Sequence, residues 1–351
     1  MYRKLVENSG AEAVLITDPV NMRYYSGFAG GEGAVYLSKN RQVLITDSRY
    51  TEAAAKESSF EVIEEGLSHK RIEILAECLE KDGAASLAYE DQSMTCSEFF
   101  RLQEALPSVK DWVRLKNTAD DLRRIKTPEE IQNIVAAAAI ADKAFSEMLK
   151  ILKVGMTEKE AAAQLEFLMK KFGADGTSFD TIFASGIHSS MPHAVPTDKK
   201  IEEGDFVTMD FGCKVNGYCS DMTRTIVMGK ATDKQKEVYN TVLEANERAM
   251  AQVKAGVVGK DIDAIARDYI KEAGYGEYFG HGLGHSVGLY IHENPRFSPS
   301  EDSVIEANVT ETVEPGIYIP GWGGVRIEDL IVVKEDGYEL LSHSPKQLIE
   351  L

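Results

Sequence analysis

Short β-branched and apolar runs alternate with amphipathic stretches through the first third of the chain. AVLITD (13–18), GAVYLS (33–38) and QVLITD (42–47) have the length and composition of buried strands. SRYTEAAAKES (48–58) and KRIEILAECLEKDG (70–83) instead repeat apolar positions at helical spacing. This alternation predicts an α/β domain over residues 1–117. The pattern breaks into a hinge near residues 117–126. Thr127-Pro128-Glu129-Glu130 then supplies an N-cap, a proline at the first helical position and a capping-box glutamate, so a long helix is expected to open a second domain over residues 118–351.

That second part carries an internal duplication. KVGMTEKEAAAQLEFLMKKFG (153–173) aligns with KAGVVGKDIDAIARDYIKEAG (254–274) at a constant offset of 254 − 153 = 101. Each copy follows a long helical pattern, sets a glycine two residues after a lysine, runs a shorter amphipathic helix and stops at glycine. A β-rich stretch with two carboxylates follows each copy: Asp210 and Asp221 in the first, Glu314 and Glu328 in the second. Two similar α+β halves related by a pseudo-twofold axis, with a site between them, are predicted.

Composition narrows the function. Of 351 residues 43% are apolar, which suits globular domains. The 39 basic and 57 acidic side chains leave a formal charge of -18, which repels nucleic-acid phosphates and anionic membrane surfaces. The first residues lack the apolar run of a signal peptide, and VAAAAIA (135–141) is too short to span a bilayer, so a cytoplasmic protein is expected. Cys78, Cys96, Cys213 and Cys219 show no metal-finger spacing and are expected to be free thiols.

Within residues 205–229, two strand-like runs flank Asn216-Gly217, a strong hairpin signal. A two-residue turn makes paired positions sum to 433, setting Asp210 opposite Thr223 and Asp221 opposite Gly212. The two aspartates become diagonal neighbours on one face, within roughly 7 Å. Beside Met209, Phe211, Met222 and Ile226 they need a cation or a shared proton, and a divalent metal is the obvious candidate.

FGHGLGHSVGLYIHE (279–293) holds His281, His285 and His292 among glycines that disfavour a helix, so a loop entering a strand is expected instead of a helical zinc pair. In TETVEPGIYIPGWGGVRIEDLIVV (310–333), Glu314 precedes a Pro-Gly turn and Glu328 lies in an apolar strand. Arg326, two residues earlier on the same face, is a competing counter-charge for Glu328.

These segments together resemble the pita-bread metallopeptidases, a family that includes methionyl aminopeptidase, aminopeptidase P, prolidase and creatinase. DFG, SDMTRT, HGLGHSVGL, EPGIY and RIED carry the resemblance from residue 127 to about residue 333. RYYSGF and TDSRY extend it more weakly to a creatinase-type N-terminal domain. The resemblance implies five metal ligands, Asp210, Asp221, His285, Glu314 and Glu328, at separations of 11, 64, 29 and 14 residues. It further implies two divalent ions, manganese or else cobalt, iron or zinc, with Asp221 and Glu328 as bridging ligands. By the same resemblance Glu314 shuttles a proton, His193 and His292 act on the substrate beside the metals, His281 lines the proline pocket and Arg326 neighbours the substrate's carboxylate.

The implied activity is metal-dependent hydrolysis of Xaa-Pro bonds, closest to an Xaa-Pro dipeptidase acting as a homodimer. The alternatives are an Xaa-Pro aminopeptidase acting on longer peptides and a metal-free creatinase-like enzyme or binding scaffold. All five ligand types being present argues against the last.

Overall fold

The computed structural model describes residues 2–351, and these divide in sequence after Arg123 into two compact units. In the first unit the elements run α1 (Tyr2–Ser9), β1 (Ala13–Ile16), α2 (Pro19–Ser26), β2 (Ala34–Ser38), β3 (Gln42–Asp47), α3 (Thr51–Glu57), β4 (Glu61–Glu65), α4 (Arg71–Asp82), β5 (Ser86–Tyr89), α5 (Cys96–Ala105), β6 (Asp111–Arg114) and α6 (Thr118–Asp121). The strands form one sheet in the order β4-β3-β2-β1-β5-β6. The apolar runs of β1 and β2 lie inside this sheet and are buried along their whole length, with one core on each face. The edge strands β4 and β6 have no fully buried residue and mix exposed with half-buried positions. The stretch expected as a hinge contains the single-turn helix α6, and Lys126 at its far end is buried.

The second unit runs α7 (Pro128–Ile151), α8 (Glu158–Lys171), β7 (Gly176–Thr177), β8 (Ile182–Ser185), a 3-10 turn (Gly186–Ser190), β9 (Phe206–Phe211), β10 (Cys213–Val215), β11 (Tyr218–Cys219), β12 (Met222–Val227), α9 (Asp233–Met250) and α10 (Gly259–Glu272). It continues with a second 3-10 turn (Gly276–Tyr278), β13 (Gly284–Ser286), β14 (Glu293–Phe297), β15 (Thr310–Val313), β16 (Gly316–Ile319), β17 (Gly323–Arg326), β18 (Asp329–Lys334) and β19 (Gly337–Leu340). Thr127 caps α7 and closes a capping box with Glu130. Helices α8 and α10 are each 14 residues long and begin 259 − 158 = 101 residues apart, so the duplicated pattern is a duplicated structure. One core gathers α7 and α8 against β9 and β12, and another gathers α9 and α10 against the later strands.

The hairpin register follows the turn. Thr223 pairs with Asp210, Met222 with Phe211 and Lys214 with Cys219, and Asn216 and Gly217 both take positive φ, 48° and 77°. These angles suit a two-residue turn whose twist matches its strands. Each arm nevertheless splits into two strands near Gly212 and Asp221, and β9–β12 and β10–β11 belong to different sheets. Asp221 therefore sits at a bend between sheets, where the ladder no longer claims its surroundings.

No helix among the described residues is long and apolar enough to cross a membrane. Cys78, Cys213 and Cys219 are buried and Cys96 is exposed, all as free thiols.

Candidate metal centre

A cavity of about 820 Å³ in the second unit is lined by Asp210, Asp221, His285, Glu314 and Glu328. Asp210 projects from β9, Asp221 from the bend before β12, and His285 from β13. Glu314 and Glu328 lie just past the ends of β15 and β17. Strand β13 packs tightly on β15: a Cβ on Gly284 would stand 1.9 Å from the Thr312 carbonyl oxygen. That approach lets the Thr312 hydroxyl accept from the His285 amide at 3.1 Å and donate to Glu314 Oε1 at 3.2 Å. His285 Nε2 then lies 3.4 Å from Glu314 Oε1 and 3.6 Å from Asp221 Oδ2. Ligand atoms of Asp221, His285 and Glu328 all fall within 4.8 Å of one another.

The electrostatics of this cluster call for a cation. Burial, reinforced by Glu328, Asp210 and Glu314, pushes the Asp221 carboxyl well above its usual range. Burial with Glu314 and Asp210 does the same to Glu328, and burial raises Glu314 to about 8. Asp210 Oδ1 and Asp221 Oδ1 are buried with no hydrogen-bond partner, which is costly unless a cation or proton meets them. His285 donates Nδ1–H to the Ser286 carbonyl at 3.1 Å, and burial pushes its pKa down to about 3. Its ring is therefore neutral with the Nε2 lone pair facing the acids, the state in which imidazole binds metals. Four carboxylates and one such imidazole fit divalent cations.

The expected substrate residues line the same cavity. His193 lies in the loop before β9, and the His292 ring stands 4.5 Å from the His285 ring. Burial lowers the His292 pKa, and the neighbouring Arg296 and His193 act in the same direction. His281 donates Nδ1–H to the Gly282 carbonyl at 2.8 Å and accepts from the Tyr318 hydroxyl at 2.9 Å. Burial pushes its pKa down to about 4. Arg326 is not the counter-charge of Glu328: its Nη2 pairs with Asp210 Oδ2 at 2.6 Å, its Nε donates to Thr223 and its Nη1 to Tyr318. Glu328 instead accepts from the Thr223 hydroxyl at 2.6 Å. Phe183 and Tyr218 are absent from the lining: Phe183 is core, and Tyr218 donates to Glu130. Ile187 is exposed on the surface and likewise lies outside the lining.

Several contributors were invisible in the sequence. Arg296 faces the cavity, and among the described residues its guanidinium makes no hydrogen bond or ion pair. Tyr318, in EPGIY, joins His281 to Arg326. Asp263 and Arg267, one turn apart on α10, fix the backbone around His281: Asp263 accepts from the Leu283 amide at 2.9 Å, and Arg267 donates to the carbonyls of Phe279 and His281. Asp263 and Arg267 lie in none of the motif segments, because they act through backbone groups 12 to 20 residues away.

Glu311, on β15, is fully buried and neither carboxyl oxygen has a partner, since Lys126 donates to Ser286 and Glu293 instead. Burial holds its carboxyl well above the ordinary range. The folded state thus keeps a proton that the unfolded chain releases, and stability present at low pH is lost as pH rises towards the folded pKa. Glu311→Gln is expected to leave the melting temperature unchanged at pH 5 and to raise it at pH 8.5 by an amount on the order of a few degrees. Differential scanning calorimetry at the two pH values checks this; an equal shift at both refutes it.

Residues 132–335 match metallopeptidase family M24, and residues 2–125 match the creatinase/prolidase N-terminal domain. The Xaa-Pro dipeptidase of Pyrococcus furiosus is 41% identical over 348 residues, covering 99% of this chain and 97% of that one. The solved Xaa-Pro dipeptidase from Bacillus anthracis has a TM-score of 0.95 at 45% identity, covering 100% of this chain and 98% of that one. The solved X-Pro aminopeptidase from Thermotoga maritima MSB8 has a TM-score of 0.93 at 41% identity, covering 99% of each.

Proposed function

The chain belongs to metallopeptidase family M24, and from that footing we propose that it hydrolyses Xaa-Pro dipeptides with two divalent cations held by Asp210, Asp221, His285, Glu314 and Glu328. The observation that carries this reading is the convergence of those four acids and a neutral imidazole on one cavity, with two acid oxygens left unpartnered. Bound cations of this kind supply Lewis-acid polarisation of the scissile carbonyl and acidification of a water molecule. Manganese is our choice among them because four of the five donors are hard carboxylates.

The chain's own residues do the rest. Glu314, whose carboxyl is raised towards neutrality, takes the proton from the attacking water and returns it to the leaving nitrogen. That return balances the step, since the leaving nitrogen must gain a proton as the C–N bond breaks and departs as the secondary amine of proline. His193 and His292 hold the substrate carbonyl and donate to the oxygen as charge develops on it. The ring of His281, fixed by Tyr318 and Gly282, forms a wall for the proline ring. Arg326 holds Asp210 and Tyr318 and keeps one N–H on each terminal nitrogen for the substrate. The unpaired Arg296 suits the free carboxylate of a dipeptide, a planar group that guanidinium binds through two parallel hydrogen bonds.

That free cation favours a dipeptidase, while the likeness to an X-Pro aminopeptidase keeps the second reading in view. With manganese-loaded protein, Gly-Pro is expected to turn over about tenfold or more faster than a Gly-Pro-initiated pentapeptide at equal low concentration, one unmet charge-assisted contact being worth that much. Equal rates on both would establish the aminopeptidase reading instead.

Two further expectations belong with this reading. A cytoplasmic protein accords with the four free thiols. A homodimer is expected, and a mass near 38.7 kDa by light scattering would refute it. Helix α5, none of whose ten residues is buried, offers surface for such contact.

A further inference from the structure

Residues 186–196 bring His193 to the cavity, yet little apolar burial holds them there. Ile187, Met191 and Val195 are exposed at 56%, 49% and 78%, and only Ser189 and Ala194 are buried. What fastens the segment is polar. Glu158, the first residue of α8, is fully buried, and its carboxylate grips both ends of the loop. Oε1 accepts from the Ser185 amide at 2.7 Å and the Ser185 hydroxyl at 2.9 Å. Oε2 accepts from the Thr197 amide at 3.0 Å and the Thr197 hydroxyl at 2.7 Å. His188 Nδ1, within the loop, lies 3.1 Å from both oxygens. A separate clasp runs from the Gly324 amide to the Ser189 hydroxyl at 2.8 Å and ties the middle of the loop to β17, the strand of Arg326.

We propose that Glu158 is a positioning residue for the hydrolysis, setting His193 against the metal-binding acids by fixing both ends of the loop that carries it. Burial alone disfavours its anion, but the donors from Thr197, Ser185 and His188 outweigh burial and hold the carboxyl below its ordinary range. Acceptor-only chemistry at both oxygens is the requirement. A glutamine of the same shape places an NH2 group against either the Ser185 or the Thr197 amide, whichever way it turns, and must release one end. In the other half, Asp263 and Arg267 of α10 fasten the backbone around His281, so each half uses an acid on its second helix to hold a histidine loop.

The inference rests on the proposed role of His193, and the test separates the two. Hydrogen exchange of residues 186–196 reads the loop without substrate. Glu158→Gln is expected to speed that exchange and to lower kcat on Gly-Pro, each by about tenfold or more, the equivalent of one lost hydrogen bond to a buried charge. Metal content should stay unchanged, with KM moving less than kcat. Added to His193→Ala, Glu158→Gln should cost nothing further, because the two share one effect. Glu160→Gln, which preserves the capping box at Thr157, serves as the control and should move neither readout. Unchanged loop exchange in Glu158→Gln overturns the proposal. So does faster exchange with unaltered kcat, or a full additional loss in the double variant. Wild-type protein that exchanges slowly at the loop but cleaves no Xaa-Pro peptide counts against the proposed activity, and the exchange arm alone then decides whether Glu158 holds the loop.

Discussion

Asp221→Asn is expected to abolish Xaa-Pro hydrolysis, lowering kcat/KM by more than ~100-fold, because residues that merely support metal ligands already cost 10–100-fold when changed. Asp221 sits where the hairpin bends out of one sheet into another, beside His285, with one oxygen unpartnered. Asparagine keeps the shape but removes the charge and halves the acceptor capacity. A second readout isolates the cause. In chelated protein the variant should melt no lower than wild type, since burial, reinforced by Glu328, Asp210 and Glu314, disfavours the charge that asparagine removes. Wild type should gain stability on adding manganese and the variant much less, as linkage requires of a ligand that binds only the native state. Equal manganese stabilisation of both proteins would refute Asp221 as a ligand.

Arg296→Ala should raise KM for Gly-Pro by about 10–100-fold with little change in kcat, because a charge-assisted hydrogen bond to a carboxylate is worth roughly 1.5–3 kcal/mol. The guanidinium lies in the cavity wall near His292 and makes no hydrogen bond or ion pair among the described residues, so no such contact is broken when it goes. The control is Gly-Pro amide, in which the carboxylate is gone. Wild type should handle the amide as poorly as the variant handles the dipeptide, and the substitution should not matter for the amide. An equal loss on both substrates would assign Arg296 to packing of the wall instead of carboxylate recognition. Arg296→Lys should restore only part of the affinity, since a point charge replaces a fork of donors.

Much of the second unit was legible because its signals are local. Asn216-Gly217 admits few turns, and a two-residue turn sets the register of both arms; Thr223 does face Asp210. Thr127-Pro128-Glu129-Glu130 starts α7 as a capping box should. The glycines around His281 and His285 pointed to a loop entering a strand, and His285 stands in the short strand β13. The constant offset of 101 located α8 and α10, because a helix's amphipathic period survives in sequence even where the contacts of its two copies differ.

What the sequence could not reveal is which distant groups meet. Arg326 lies two residues from Glu328, and local spacing offered it only as a competing counter-charge; it crosses to Asp210 while Thr223 serves Glu328. Glu158 and Asp263 carry no motif, since their value comes from neighbours 27 and 20 residues away, and nothing within EPGIY says that Tyr318 reaches His281. The amino-acid sequence by itself determined the elements and the hairpin register, written in spacing and short-range sterics, and the family resemblance of its segments implied the five acid and imidazole candidates. Tertiary structure alone decided that the five share one cavity, which carboxyls burial strips of water, and that Arg296 lines that cavity without a side-chain partner among the described residues. Those outcomes depend on distances and desolvation, and these exist only once the two halves have closed on each other.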